Sequence, residues 1–472
     1  MKKRDVVELR VESYAFEGKG VARVPTEDGN QFVVFVHGAY PGDLVRAEIR
    51  RKRKRHAEAA TLEILEPSPL RREPRCPHFG ACGGCKQQNL DYEAQLRFKR
   101  KQVADSFQRI GGVENAVAPP TIPSENRYYY RNKMEFSFAR RRWLSPEEIR
   151  SGEDIDDRFA LGLHAPKVFD KVVDLDTCFL QSETSAEIVN FTRSHFAERG
   201  ATIYSTKTHD GRLRHLTIRE SEADGERLVA LTTNGEDDGL LLPYADELKA
   251  RFPSVASLVQ HIHTGKAQIA IGERERTIFG EGHIHDNIGD RRFRISAASF
   301  FQTNTRQAET LYRTALEFAE PTGDEIFYDL YCGAGTISIF FADRVKAGYG
   351  FEVVESATKD ARANAALNGV ENLAFFEANL YKSFLPVVAE HGLPSPDLLL
   401  LDPPRGGMHP TTIADVVSLA PPKIVYVSCN PATQARDVKE LTGAGYRLEK
   451  LQPVDMFPHT WHIENVARLT RE

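Results

Sequence analysis

The chain has 472 residues, enough for two or three domains each with its own core. Hydrophobic residues make up 41% and charged residues 27%, ordinary for a soluble globular protein, and the net charge of −5 argues against a surface coated in positive charge. The charged start Met1-Lys2-Lys3-Arg4-Asp5 leads into no apolar core of a signal peptide, and no run of 18 apolar residues occurs, so the expected location is cytoplasmic with no membrane span. In that reducing setting six cysteines point to metal binding or catalysis more than to disulfides.

Residues 5–66 read as short strands: Val7 to Glu12, Gln31 to His37, Asp43 to Arg50 and Ala59 to Leu65. Turns are expected at Gly18-Lys19-Gly20, Asp28-Gly29-Asn30 and Pro41-Gly42. Strands at this spacing suggest a small β-barrel of OB type, a frequent oligonucleotide binder; a docking module is the competing reading. Residues 1–75 hold 16 Lys/Arg against 12 Asp/Glu, concentrated in Arg50-Arg51-Lys52-Arg53-Lys54-Arg55. Such a run is a nucleic-acid signal only beside other evidence.

Pro67-Ser68-Pro69 reads as a linker. Cys76, Cys82 and Cys85 follow in one compact loop, with Cys178 far downstream. Zinc favours paired Cys-x-x-Cys arms, whereas three close cysteines plus a distant fourth suit an iron–sulfur cluster; zinc stays as the alternative. A basic helix is expected from about Asp91 to Ile110. Arg127-Tyr128-Tyr129-Tyr130-Arg131-Asn132-Lys133 then interleaves cations with rings, either a single-stranded RNA grip or a strand with aromatic core residues. Residues 125–290 look mixed, with strands at His215 to Arg219 and Arg227 to Thr232.

From about residue 291 the pattern is β-α-β, with strands at Glu325 to Leu330, Ala347 to Val353, Ala374 to Ala378, Asp397 to Leu401 and Ile424 to Ser428. That predicts an α/β, doubly wound parallel sheet. Asp329-Leu330-Tyr331-Cys332-Gly333-Ala334-Gly335-Thr336 leaves the first strand and enters a helix, and Glu352 lies 19 residues after Gly333. Glycines allow close backbone approach, and an acid at that distance suits ribose hydroxyls; S-adenosylmethionine fits as well as a dinucleotide. Asp402-Pro403-Pro404-Arg405 follows the fourth strand at the sheet's carboxyl edge. Cys429 ends the fifth strand; Asn430 reads as a helix N-cap and Pro431 as the first helical residue. A helix N-terminus favours thiolate, although a lone cysteine is more often packing.

Together these motifs closely resemble the RNA 5-methyluridine (uracil-C5) methyltransferases, in the branch with an N-terminal TRAM barrel and an iron–sulfur cluster. The resemblance spans nearly the whole chain. It rests on the cysteine quartet, Tyr130 to Lys133, Phe301-Gln302-Thr303-Asn304, Asp329 to Thr336, Asp402 to Arg405, Ser428-Cys429-Asn430-Pro431 and His462-Ile463-Glu464-Asn465. It implies a class I S-adenosylmethionine-dependent (Rossmann-like) catalytic domain over 291–472, a TRAM barrel over 1–67, and a mixed α+β central domain over 68–290 holding a 4Fe–4S cluster on Cys76, Cys82, Cys85 and Cys178. Gln302, Tyr331, Gly333, Gly335, Thr336, Glu352, Asn379 and Asp402 would form the S-adenosylmethionine site. Cys429 would be the nucleophile and Glu464 the general base, and Arg131 and Lys133 would contact RNA. The implied target is 23S ribosomal RNA, with transfer RNA the alternative, and a monomer is expected.

The chemistry asks for such a pair independently. Uracil C5 attacks a methyl sulfonium poorly until a thiolate adds at C6, and a base must then remove the C5 proton. The base must also reach a nucleotide turned out of its stack. His459 and His462 are alternative bases or loop-orienting residues. Two other functions compete: amino-group methylation through the Asp-Pro-Pro turn, which needs no thiol, and a non-enzymatic iron–sulfur RNA chaperone.

Overall fold

The computed structural model describes residues 1–26, 29–114, 116–155, 158–166 and 170–472. In chain order the first strands are β1 (Val6–Arg10), β2 (Ser13–Ala15), β3 (Lys19–Pro25), β4 (Gln31–His37), β5 (Leu44–Lys52) and β6 (His56–Glu66). They pair in the order β1-β5-β6-β4-β3-β2 around a core of alternating inward residues such as Val34, Val36, Val45, Ala47 and Ile49. The expected turn at Asp28-Gly29-Asn30 falls partly outside the described residues. The prolines after β6 do not make a loose linker. Ser68 is buried, its N–H and Oγ held by Asp43 and the Pro41 carbonyl.

Helix α1 (Tyr92–Arg109) starts on Asp91, whose side chain accepts from the Ala94 N–H, and ends at Ile110. Next come β7 (Lys133–Arg141), α2 (Pro146–Ser151), β8 (Arg158–His164), β9 (Val172–Asp174), α3 (Glu183–Glu198), β10 (Leu213–Glu220), β11 (Arg227–Thr233), α4 (Asp238–Arg251), β12 (Val255–Ile262) and β13 (Arg274–Phe279). These strands form a sheet in the order β13-β12-β11-β10-β7-β8-β9, and β14 (His283–Ile288) pairs with β15 (Arg291–Ser296) as a ribbon.

The C-terminal part runs α5 (Thr305–Ala319), β16 (Ile326–Leu330), α6 (Thr336–Phe341), β17 (Ala347–Glu352), α7 (Glu355–Leu367), β18 (Leu373–Glu377), α8 (Leu385–Glu390), β19 (Leu398–Leu401), α9 (Pro410–Leu419), β20 (Lys423–Ser428), α10 (Pro431–Gly443), β21 (Tyr446–Val454) and β22 (Glu464–Arg471). The sheet order is β18-β17-β16-β19-β20-β22-β21. Leu398 and Leu400 face a core with Ala308, Leu311 and Ile337, while Leu399 and Leu401 face a second with Val103, Phe107, Val416 and Val438. Both faces of the strand are covered, which is why it reads as an unbroken apolar run. Helix α1 thus lies on the far face of this sheet, beside α10.

The expectation of a wholly parallel sheet is corrected at its edge: β22 runs antiparallel to both β20 and β21. The chain turns back after β21 in a short hairpin, so the last two strands cannot be parallel. A register shift between Leu448 and Lys450 breaks the alternation that would have marked β21. Helix α1 is basic as expected, but part of it turns inward. Gln95, Lys99 and Gln102 on it are buried.

Candidate active site

The parallel strands reverse order at β16, which has β17 on one side and β19 on the other. In such sheets ligands bind at the carboxyl ends of the strands beside this reversal. The predicted residues come from successive strand ends there: Tyr331 and Gly333 after β16, Glu352 at the end of β17, Asn379 after β18, Asp402 after β19 and Cys429 after β20.

Tyr331 takes a left-handed conformation at φ 70°, as do Gly333 and Gly335 at 54° and 75°. A left-handed tyrosine is costly and marks a loop held to shape by its surroundings. A Cβ on Gly335 would lie 3.0 Å from Ala361 and Phe375, so glycine lets α6 approach. A Cβ on Gly333 would meet nothing within 4 Å, so that position opens onto free space. Glu352 accepts hydrogen bonds from the N–H groups of Gly333 (3.1 Å), Val353 (2.8 Å) and Val354 (2.9 Å). It therefore locks the glycine loop to β17. Thr336 opens α6 with its Oγ1 2.8 Å from the Tyr312 hydroxyl. The Asn379 side chain accepts from the Tyr381 N–H at 3.0 Å, and the buried Gln302 is held through its carbonyl by Asn132 at 2.8 Å. Cys332 is buried beneath the loop, against Gly350.

Asp329 was not singled out as a site residue, yet it is buried, and desolvation pushes its carboxyl up to about 8. Ser338 holds one of its oxygens, while Oδ1 has no partner. A buried acceptor left unpaired beside an open glycine is suited to a ligand that brings a donor.

Cys429 sits where expected: Asn430 caps α10 by accepting from the Ala432 N–H, and Pro431 is the first helical residue. The resting thiol, however, is not a thiolate. Burial, Glu464 and Asp402 push it up to about 12, and the nearby Arg405 guanidinium only partly offsets them. The helix N-terminus does not decide the protonation state here. Burial likewise raises Asp402 to about 7, and burial with Asp402 nearby holds Glu464 well above the carboxylate range. Cys429, Asp402 and Glu464 thus form one acidic cluster around Arg405, whose part was visible only as the fourth letter of Asp-Pro-Pro-Arg.

Glu464 opens β22, where it pairs with Val454 of β21, and its neighbour Asn465 pairs with Ser428. It stands at the neck of a loop running from Asp455 to Ile463. His459 and His462 lie on that loop, both pushed down to about 4 by burial and therefore neutral near pH 7.

Cys76, Cys82, Cys85 and Cys178 line one recess with Phe79, Leu163, Leu175, Phe179 and Leu180. Their sulfurs accept hydrogen bonds from Gly84 N–H onto Cys82 (3.3 Å) and from the Gln88 side chain onto Cys85 (3.2 Å). Among the described residues, no three or more His, Cys, Asp or Glu side chains converge closely enough to hold a metal ion.

Arg131 stays partly exposed, its Nε donating to the Lys133 carbonyl. The Lys133 ammonium is already paired with Glu135 at 2.6 Å. The three tyrosines diverge: Tyr130 is buried with its hydroxyl on the Pro458 carbonyl, Tyr128 stacks on His459, and Tyr129 with Phe179 receives Arg75 over its ring.

Comparison with known proteins accounts for this arrangement. Residues 240–382 and 394–472 match the family described as tRNA (Uracil-5-)-methyltransferase, and residues 2–62 match the TRAM domain. An RNA methyltransferase of Chlorobaculum tepidum is 44% identical over 100% of this chain and 97% of its own, and one of Bacteroides thetaiotaomicron is 41% identical over 96% and 99%. Among solved structures, the Pyrococcus abyssi tRNA (uracil-54, C5)-methyltransferase in complex with S-adenosyl-L-homocysteine superposes with a TM-score of 0.74 at 28% identity, covering 98% of this chain and 100% of that one. The chain therefore carries a class I methyltransferase fold behind a TRAM domain, and it belongs to the tRNA (uracil-5-)-methyltransferase family of RNA methyltransferases.

Proposed function

We propose that this enzyme methylates C5 of a specific uridine using S-adenosylmethionine, with Cys429 as nucleophile and Glu464 as general base. The observation that carries this is the meeting of half-buried Cys429 and Asp402 with buried Glu464 and exposed Arg405 at the strand ends, next to the open glycine loop. The donor supplies an electrophilic methyl on a positively charged sulfonium. Asp329, Glu352, Asp402 and Glu464 line the crevice with carboxyls that a bound cation would help to ionise, which suits a cationic ligand and not a phosphate. Gln302, Tyr331, Gly333, Gly335, Thr336, Glu352, Asn379 and Asp402 are its proposed contacts, and the unpaired Asp329 Oδ1 is a further one.

Both Cys429 and Glu464 hold protons in the empty site. A cation bound beside them lowers Cys429, Glu464 and Asp402 together, so the thiol and the base give up their protons to solvent and become competent only with ligands in place. The Cys429 thiolate then forms a bond to C6, the C5–C6 π electrons shift into an enolate, and C5 takes the methyl group as its bond to the sulfonium breaks to leave a neutral thioether. Glu464 removes the C5 proton, the C5–C6 double bond returns, and the sulfur–C6 bond breaks, freeing Cys429. Arg405 keeps a positive charge near the sulfur throughout.

The thiols of Cys76, Cys82, Cys85 and Cys178 fit a 4Fe–4S cluster better than zinc. A single zinc with bonds of about 2.3 Å would draw its ligands close together, whereas these sulfurs surround an apolar recess without converging on one point. Bound there, a cluster would supply a rigid structural node and no step of methyl transfer. The proposed layout is a barrel over 1–67 and a central region over 68–290 that grip RNA, with chemistry in 291–472; Arg131 and Lys133 are the proposed RNA contacts.

The proposed target is 23S ribosomal RNA, on the strength of the cysteine quartet. Transfer RNA is the second reading, favoured by the Pyrococcus abyssi enzyme, whose name specifies tRNA. Incubating the protein with both RNAs and labelled donor, then mapping the products by mass spectrometry, tests this. Methyl groups at uridine C5 are expected; methylation on amino groups, or none, would overturn the assignment.

A further inference from the structure

We propose that Gln95 is a positioning residue for the elimination step: its amide ties the cysteine-bearing loop to the loop that leads into Glu464 at the start of β22, and so helps set where that carboxyl stands. The inference rests on the uracil-C5 reading above.

Gln95 is fully buried on α1. On one side its Nε2 donates to the carbonyls of Gln87 (3.0 Å) and Leu90 (2.9 Å), closing the chain just after Cys85. On the other side its Oε1 accepts from the His459 N–H at 2.9 Å, and Nε2 lies 3.4 Å from His459 Nδ1. His459 completes the clasp, since its carbonyl accepts from the N–H groups of Lys86 (2.8 Å) and Gln87 (2.9 Å). Its φ of 63° is one a histidine keeps only when its surroundings over-determine it.

The same face of α1 holds the start of this loop. Tyr92 and Lys99, three residues before Gln95 and four after, share its side of the helix. The Tyr92 hydroxyl donates to Asp455 at 2.8 Å, and the Lys99 ammonium bonds Asp455 at 2.5 Å and the Phe457 carbonyl at 3.0 Å. Lys99 and Asp455 are both buried. Helix α1, strongly basic in sequence, thus presents a buried polar stripe matched to the backbone of residues 455–459.

This placement makes the effect selective. Cys429 is fixed independently, by β20 and the Asn430 cap. Glu464 stands at the neck of the loop that Gln95 restrains. Loosening the clasp displaces the base and leaves the nucleophile, so thiol addition and methyl transfer continue while proton removal and release of Cys429 slow. A merely structural loss would slow every step together.

The test uses full-length Gln95→Leu, with Gln95→Glu as a second variant that keeps the acceptor for His459 and loses the donors. With an RNA that the wild-type protein methylates, turnover of Gln95→Leu should fall roughly tenfold to a hundredfold, the range for a misplaced catalytic group. Affinity for the methyl donor should stay within about twofold of wild type, because that site lies elsewhere. A methylated, covalent protein–RNA adduct should accumulate on denaturing gels, less so in Gln95→Glu. Amide hydrogen exchange should quicken in residues 456–463 and not across the sheet. Unchanged turnover, or a fall without adduct in either variant, would overturn the role of Gln95 while leaving the uracil-C5 reading intact. A wild-type protein that forms no 5-methyluridine would overturn both.

Discussion

Burial is the main cause that pushes two sets of thiols in this molecule up, and they differ in which charged neighbours add to it. Burial pushes Cys82 up to about 11 and Cys85 to about 12, and the other thiols of the quartet add to the rise. Cys429 also reaches about 12, but its neighbours are the carboxyls of Glu464 and Asp402, with Arg405 opposing them. The resting protonation state therefore does not separate the proposed nucleophile from the proposed cluster ligands. The proposed partner of each site does: four thiols around an apolar recess would be relieved by a metal cluster, whereas a thiol among carboxyls would be relieved by a cationic ligand.

The largest expected effect breaks that comparison at the catalytic end. Cys429→Ala should abolish methyl incorporation, and Glu464→Gln should slow turnover by roughly 10²–10⁴-fold, the usual worth of a general base. Radiolabelled methyl transfer measures both. At the other end, Cys85→Ala should lose iron and sulfide in elemental analysis and lower the melting temperature, with methyl-donor binding kept. Loss of metal from Cys429→Ala instead would merge the two sites and refute the distinction.

Next in size is the buried Lys99–Asp455 pair behind the catalytic loop. Lys99→Met strands a buried carboxylate and should cost about 3–5 kcal/mol in denaturant unfolding. The acid cluster predicts a smaller effect, in pH dependence. The Asp402 carboxyl titrates at about 7 in the fold against roughly 4 when unfolded, so it favours the fold fully below pH 4. That contribution is lost as pH rises through 7. Asp402→Asn should therefore flatten the fall in melting temperature between pH 4 and 7, while activity drops. Single-turnover methyl transfer should rise from neutral to alkaline pH, because Cys429 must lose its proton. The smallest effect belongs to RNA contacts: Arg131→Ala should lower the salt slope of binding by about one. Lys133→Ala should change it less, since Glu135 already pairs that ammonium.

Much of the active site was legible because its signals are local. Asn430-Pro431 after an apolar strand specifies where a side chain leaves the sheet, and the glycine loop with Glu352 does the same at the first crossover. Gln31 to His37 matches β4 end to end, since a short β-branched and aromatic run is a local signal. What escaped depends on distant partners. Nothing within a few residues of Lys99 announces its burial against Asp455, 356 positions away. The protonated state of Cys429 escaped too, because the carboxyls that raise it come from other strands. The antiparallel edge was hidden by the irregular register of β21.

The central claim is that Cys429 attaches to RNA and Glu464 releases it. Mixing Glu464→Gln with substrate RNA and labelled methyl donor, then resolving the products under denaturing conditions, tests it most directly. The account predicts a methylated protein–RNA adduct that vanishes when Cys429→Ala is added. Methylated RNA released by the Cys429→Ala protein, or normal turnover without adduct in Glu464→Gln, would contradict it.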